Sequence, residues 1–266
     1  MSAAPITAWL GVLEAMCRPV GITCLDVIVD QAGSATPLLP SLPGVEPALS
    51  WHSLFTGRPE EGAGDVAPLL IRVDLTQPLQ RQWLSGLLQH LNVRAQVLVL
   101  ASPWDFQPLA EHLGHCLQAS NGGYPGLLRY YDPRLFALLF SHVLQPQEQQ
   151  RWLQPVAFWS WLDRDGQPRC LAGQAQGPDS AEPCAPLELS DSQLESLGCA
   201  SDASLALTVM EAAFPADWGA ERRFQISYAS MLAATEAGVL LPAERETVLL
   251  DTLRNAHIDP PQTERS

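Results

Sequence analysis

Asp132-Pro133 constrains this chain more than any other pair of residues. Proline has no N–H to lose and its fixed φ suits the first helical position, so a short polar acceptor directly before it marks a helix start. Upstream, Leu127 to Tyr131 is apolar and aromatic enough to read as a buried strand. Downstream, Leu135, Phe136, Leu138, Leu139, Phe140 and Val143 fall on one broad face at helical spacing. The stretch is therefore expected to be a strand running directly into a helix packed on a sheet. Arg129 and Arg134 flank Asp132 closely enough for a guanidinium to hold the carboxylate in a bidentate pair, which would lock the corner. With Tyr130, these residues are also candidates for recognising a partner segment, second to the corner lock. One arginine turned inward and the other outward would satisfy both readings.

On either side the chain continues as alternating helices and strands. Ile6 to Cys17 has the pattern of an amphipathic helix with Trp9, Leu10, Leu13 and Met16 on one side, and Cys24 to Asp30 that of a strand ended by Gln31-Ala32-Gly33. Residues 34 to 50 are proline-rich irregular connection. A turn at Ser53 to Gly57 precedes a strand over Leu69 to Val73, a helix over Gln77 to His90 carrying Leu79, Trp83, Leu84, Leu87 and Leu88, and a strand over Gln96 to Leu100. Ser102 or Asp105 can cap the next helix, with Phe106, Leu109, Leu113 and Cys116 inward. Asn121 to Gly126 is a turn-rich connection, and Gln145 to Leu153 a short helix. Val156 to Trp161 is a strand with aromatics on both faces, turning at Asp163 to Gly166 toward a partner near Arg169 to Leu171. Beyond a Gly/Pro/Ala/Ser-rich linker at 175–186 every signal is helical. Ser190 and Gln193 have capping-box spacing for a helix ending near Gly198, Asp202 can cap a second helix through Leu205, Leu207, Val209 and Met210, and further helices start near Pro215 and Pro242. The expected architecture is α/β: a mixed-sheet α/β lobe over 1–174, a small all-helical lobe over 187–256 and a tail over 257–266.

Composition narrows the function. The net charge of −14 over 266 residues opposes a nucleic-acid backbone or an anionic membrane surface as partner. All 15 basic residues are arginine, which excludes phosphate-loop and Schiff-base lysine chemistry. The six cysteines show neither zinc-knuckle nor CxxC spacing and read as buried thiols of a reducing cytosol. Met1 to Arg18 lacks the continuous apolar core of a secretory leader, and no run reaches the ~20 apolar residues of a membrane span. A cytoplasmic, soluble protein is expected.

Leu127-Leu128-Arg129-Tyr130-Tyr131-Asp132-Pro133-Arg134 resembles the Arg-Tyr/Phe-Tyr/Phe-Asp-Pro-Arg signature of a bacterial family, the cytosolic effector adaptors or chaperones of type VI secretion systems (Tap/Tec type). The strand over 24–30, the Leu54-Phe55 turn leading through Asp65 and Pro68 into the next strand, the strand-Ser102-helix unit with Glu111-His112-Leu113 and the aromatic hairpin are similar as well. The chain departs from the pattern at Gly114, where a basic residue is expected. The resemblance implies a non-enzymatic adaptor without cofactor or metal, which binds a toxin effector and helps load it onto the spike formed by a VgrG protein with or without a PAAR cap. Trp159 and Trp161 are then candidates for an exposed apolar patch that binds the partner.

Other chemistry competes with that reading. Asp30, Asp74 and Asp132 lie at strand ends, where carboxylates of a small-molecule hydrolase would collect, although capping and turn formation are the favoured account of such residues. His112, His115 and Cys116 are a weak metal candidate lacking a further ligand. Eight acidic residues and no basic one fall between 170 and 220, either a docking surface for a basic partner or a solvated face. A scaffold unrelated to secretion is the remaining possibility.

Overall fold

A computed structural model describes residues 3–32, 38–91, 96–177 and 185–258 of the chain. The chain forms two compact units, Met1–Leu189 and Ser190–Ser266.

The first unit contains, in chain order, helix α1 (Ala3–Cys17), strands β1 (Cys24–Val29), β2 (Ser50–Ser53) and β3 (Leu69–Asp74), helix α2 (Pro78–Leu91), strand β4 (Val97–Ala101) and helix α3 (Phe106–His115). Strands β5 (Gln118–Asn121) and β6 (Tyr124–Leu127), helices α4 (Pro133–Leu138) and α5 (Pro146–Leu153), and strands β7 (Phe158–Leu162), β8 (Pro168–Ala172) and β9 (Leu187–Glu188) follow. Six strands form one sheet in the order β2-β3-β1-β4-β7-β8, antiparallel at every pairing. The mixed pairing expected from the sequence occurs in a second, three-stranded sheet, where β5 pairs antiparallel with β6 and parallel with β9.

Strand periodicity of two assigns the faces of the large sheet. Leu25, Val27 and Val29 of β1, Leu69, Ile71 and Val73 of β3, and Val97 and Val99 of β4 share one face and form the main core with Trp9, Leu10 and Leu13 of α1 and Leu84, Leu87 and Leu88 of α2. Phe158 of β7 joins this core, and Trp9 Nε1 donates to Ser160 Oγ at 2.9 Å. The opposite face carries Asp26, Arg72, Trp159 and Trp161 and meets Phe106 of α3 and Phe136 of α4. Leu79, assigned to the inner side of α2 by its spacing, is instead exposed.

Two sequence assignments near the central motif differ from the structure. Leu127 to Tyr131 is not a strand: β6 ends at Leu127, and the chain then turns, with Tyr130 N–H donating to Leu128 O and Asp132 N–H to Arg129 O. Burial of Leu128, Tyr130 and Tyr131 produces the same apolar signature that a strand would. Asn121 to Gly126 is a β-hairpin rather than a plain connection. Gly122 and Gly123 have φ of 55° and 83°, the left-handed pair that a two-residue hairpin turn needs.

The second unit consists of helices α6 (Asp191–Val209), α7 (Ala220–Glu236) and α8 (Pro242–Ile258), with α7 packed against both others. The Ser190/Gln193 capping box is formed as the spacing implies. The helix does not stop at Gly198 or restart at Asp202 but runs through both. The core face also differs from the expected one: Leu205 and Val209 point outward, while Cys199, Ala200, Ala203 and Ala206 are buried. Small side chains on that face allow the facing helix to approach closely, an arrangement that a search for large apolar residues overlooks. Arg245, almost wholly buried, joins the helices through Thr235 Oγ1 (2.9 Å), Met231 O (3.2 Å) and Asp202 (3.2 Å). Residues 187–189 lie in the first unit because β9 pairs with β5 and Leu189 N–H donates to Ser120 O. Most of the 175–186 linker and of the tail from 257 lies outside the described residues.

Candidate functional site

The central motif folds as a turn wedged between the end of β1 and the start of α4. Asp132 caps α4: its Oδ1 accepts from Arg134 N–H at 2.9 Å, and Pro133 occupies the first helical turn. The same carboxylate accepts Arg134 Nε at 2.9 Å and Nη2 at 2.6 Å, so cap and bidentate ion pair share one side chain. The corner lock read from the sequence is thus made by Arg134. Helix α4 continues into a single π-helical turn over Leu139–Val143, a widening that retains the apolar face.

Arg129 does not share this lock. Its Nη2 reaches Asp30 Oδ2, at the end of β1, at 2.8 Å, and the guanidinium lies 5.6 Å from the centre of the Tyr131 ring. Asp30 is buried and also accepts Ala32 N–H at 2.9 Å. The motif therefore has two ion pairs, one local and one tying the turn to a strand 99 residues earlier. Both arginine side chains remain about half exposed, 44% for Arg129 and 56% for Arg134, so each guanidinium has an inward edge bound and an outward edge in solvent.

Tyr130 is the motif's inward anchor. It is fully buried, donates to Leu113 O at 3.0 Å and packs against Tyr131, Trp152 and Trp159 at centroid distances of 6.1, 5.6 and 6.4 Å. Offset and edge-to-face ring pairs at such distances add attraction beyond area burial. Burial raises the Tyr130 hydroxyl well above its usual pKa and pushes Tyr131 up to about 12, so both stay neutral. Phe136 extends the cluster, 5.0 Å from Trp159 and 5.2 Å from Trp161.

This cluster corrects the placement of Trp159 and Trp161. They are 0% and 7% exposed, so they form no surface patch; the aromatic rings that face away from the main core are covered by the motif itself. Trp159 Nε1 is satisfied by Trp152 O at 2.9 Å. Exposed aromatics lie elsewhere, at Tyr124 on β6 and Trp51 on β2, positions the sequence reading passed over because neither strand was assigned.

The strand-end carboxylates are all engaged. Asp30 and Asp132 are paired as above, and Asp74 Oδ1 accepts Thr76 N–H and Oγ1–H at 2.9 and 2.7 Å in a local turn. Asp26, in the middle of β1 and wholly buried, is clamped by Arg72 from the neighbouring strand through Nε (2.8 Å) and Nη2 (2.7 Å). Burial raises the Asp26 carboxyl, and the two bonds from Arg72 oppose that shift.

The histidines of α3 bind backbone. His112 Nε2 lies 2.6 Å from Arg151 O and the ring packs edge-on to Trp104, while His115 Nδ1 lies 2.7 Å from Glu111 O. Burial lowers the His112 pKa, so the neutral ring with its proton on Nε2 fits this contact. Among the described residues no three His, Cys, Asp or Glu side chains are placed to hold a metal ion. No disulfide joins the described cysteines; Cys17, Cys116 and Cys199 are buried, Cys24 is half-buried and Cys170 is exposed, while Cys184 lies outside the described residues. At Gly114, a Cβ would stand 3.2 Å from Leu54 O and 3.4 Å from Arg58 Nη2, and that guanidinium donates to Glu111 O. Arg58 thus fills the space above the position where the resemblance called for a basic residue. No described helix is long and apolar enough to cross a membrane.

Residues 27–151, a little under half of the chain, match the family described as a domain of unknown function (DUF4123). No curated protein and no solved structure matches the chain. The matched segment runs from within β1 to within α5 and includes the whole corner.

Proposed function

We propose that the chain is a non-enzymatic bacterial cytoplasmic adaptor that binds a type VI secretion toxin effector and helps load it onto the VgrG/PAAR spike. One observation carries the reading. The matched domain, a family associated with such adaptors, contains the Arg129–Arg134 signature, and that signature is built as a structural corner with two outward guanidinium edges. Both roles weighed for these residues fit this geometry: Asp30 and Asp132 hold the inner edges, and the outer edges are free to meet acceptors on a partner. The alternative, a hydrolase built on strand-end carboxylates, draws no support from Asp30, Asp74 or Asp132, each already bound to its own neighbours.

The test is co-purification of the tagged full chain from its native cytosol under conditions where the secretion genes are expressed. A toxin-domain protein recovered in stoichiometric amount, alone or with a spike protein, is the expected result. A lone chain under those conditions overturns the reading.

A further inference from the structure

The helical unit carries a groove of about 170 Å³ that no part of the motif explains. Leu205 and Val209, one turn apart on α6, form a ridge along one side, and Leu240 stands on the other. These three side chains are 63%, 64% and 71% exposed, an unusual density of outward apolar residues for one small unit. Ala206 and Met231, both buried, form the floor. The rim is charged. Arg245 is buried and its charge is already met by Asp202, so Glu246 leaves the mouth of the groove net negative. Around it, residues 190–258 hold ten acidic side chains against four arginines.

We infer that this groove docks a basic amphipathic helix of a partner protein. An apolar ridge with a spacing of one helical turn suits a helix laid along it, read by side chains at i, i+3 or i+4, and i+7. Acids at the rim select Lys or Arg on the flanks of that helix. A second copy of this chain fits poorly, because it would bring a strongly acidic unit against another of the same sign. The inference rests on the adaptor reading for the identity of the partner and on the groove alone for its chemistry.

The test uses the full chain and a labelled synthetic peptide of about 18 residues, long enough to hold a helix, with a leucine stripe and arginines on the opposite face. Fluorescence anisotropy should show binding that weakens at least about tenfold in the Leu205→Ser/Leu240→Ser variant, and severalfold in Glu246→Gln, since a few central contacts dominate such grooves. The substituted side chains are exposed, and a thermal melt confirms that the fold is retained. A peptide with glutamates in place of the arginines should bind at least tenfold more weakly. Unchanged affinity in the groove variants overturns the inference, as does an equal loss in the Asp217→Asn/Glu221→Gln control outside the groove. A dimer that dissociates on Leu205→Ser/Leu240→Ser also overturns it, in favour of a second copy. The same variants in the native co-purification separate the two claims. If the unaltered chain recovers no toxin or spike protein, the adaptor reading fails, whatever the peptide does. If toxin recovery is undiminished in groove variants, the groove fails and the adaptor stands.

Discussion

Replacing Asp132 separates the two jobs its carboxylate performs. Asp132→Ala removes the acceptor for Arg134 N–H at the start of α4 and the bidentate partner of the Arg134 guanidinium. Loss of an N-cap costs about 1 kcal/mol, with a range of roughly 0.5–2. The ion pair contributes less than its two short bonds suggest, because Arg134 is more than half exposed and solvent screens it; about 0.2–1 kcal/mol is reasonable. With the cap taken at about 1 kcal/mol, the total is about 1.2–2 kcal/mol, equivalent to roughly 2–8 °C in Tm for a unit of this size. Asp132→Asn keeps a capping oxygen and loses only the charge, and Arg134→Ala loses only the pair. Both should cost at most about 1 kcal/mol. Urea unfolding followed by tryptophan fluorescence reads the right unit, since seven of the eight tryptophans precede residue 190. If Asp132→Asn unfolds as easily as Asp132→Ala, or Arg134→Ala more easily than either, the cap contributes less than the ion pair and the corner is held by charge rather than by helix capping.

Three further outcomes follow from the packing. Gly173→Ala should destabilise the α/β unit by at least about 2 kcal/mol in urea, since a Cβ there meets Val156 O at 2.2 Å and Leu153 O at 2.8 Å, and relief requires backbone movement; a neutral result would mean that β8 shifts freely. Tyr130→Phe leaves Leu113 O without its buried donor and should cost about 1–2 kcal/mol with no change of fold, measured by the same unfolding curve. Because burial lowers the folded-state pKa of His112, the unfolded chain binds more protons below about pH 6.5, and stability rises with pH there. The cost grows as pH falls from about 6.5 toward the folded pKa, then levels. Burial also lowers the His52 pKa, so His112→Gln should shrink the acid-side slope of a Tm–pH profile without abolishing it; an unaltered slope would assign the effect elsewhere.

Much of this was legible in the sequence where a local rule decides the outcome. Asp132-Pro133 and Ser190/Gln193 mark helix starts through chemistry within four residues, and the Phe158–Ala172 hairpin follows from alternation around a polar turn. What escaped depends on distant or small residues. The partner of Arg129 is Asp30, and nothing near the motif selects it over Asp132, which sits closer in sequence. Trp159 and Trp161 have the same identity whether covered or bare; only Phe136 and Tyr130 lying across them settles the matter. In α6 the alanine face outweighs the leucines, and Gly198 keeps a helical backbone instead of the positive φ that a helix-ending glycine adopts.

The position of β1 has a consequence for how the chain is made. It leaves the ribosome before either of its neighbours in the sheet, β3 and β4, which are completed only by residues 74 and 101. At about 5–20 residues per second, Leu25-Asp26-Val27-Ile28-Val29 waits roughly 4–14 s for both to emerge. An apolar β-prone run left unpaired for seconds is a template for aggregation. Asp26 interrupts that run with a charge that stays hydrated until Arg72 arrives to meet it. The carboxylate that the finished sheet buries against Arg72 is thus the residue that guards the nascent strand.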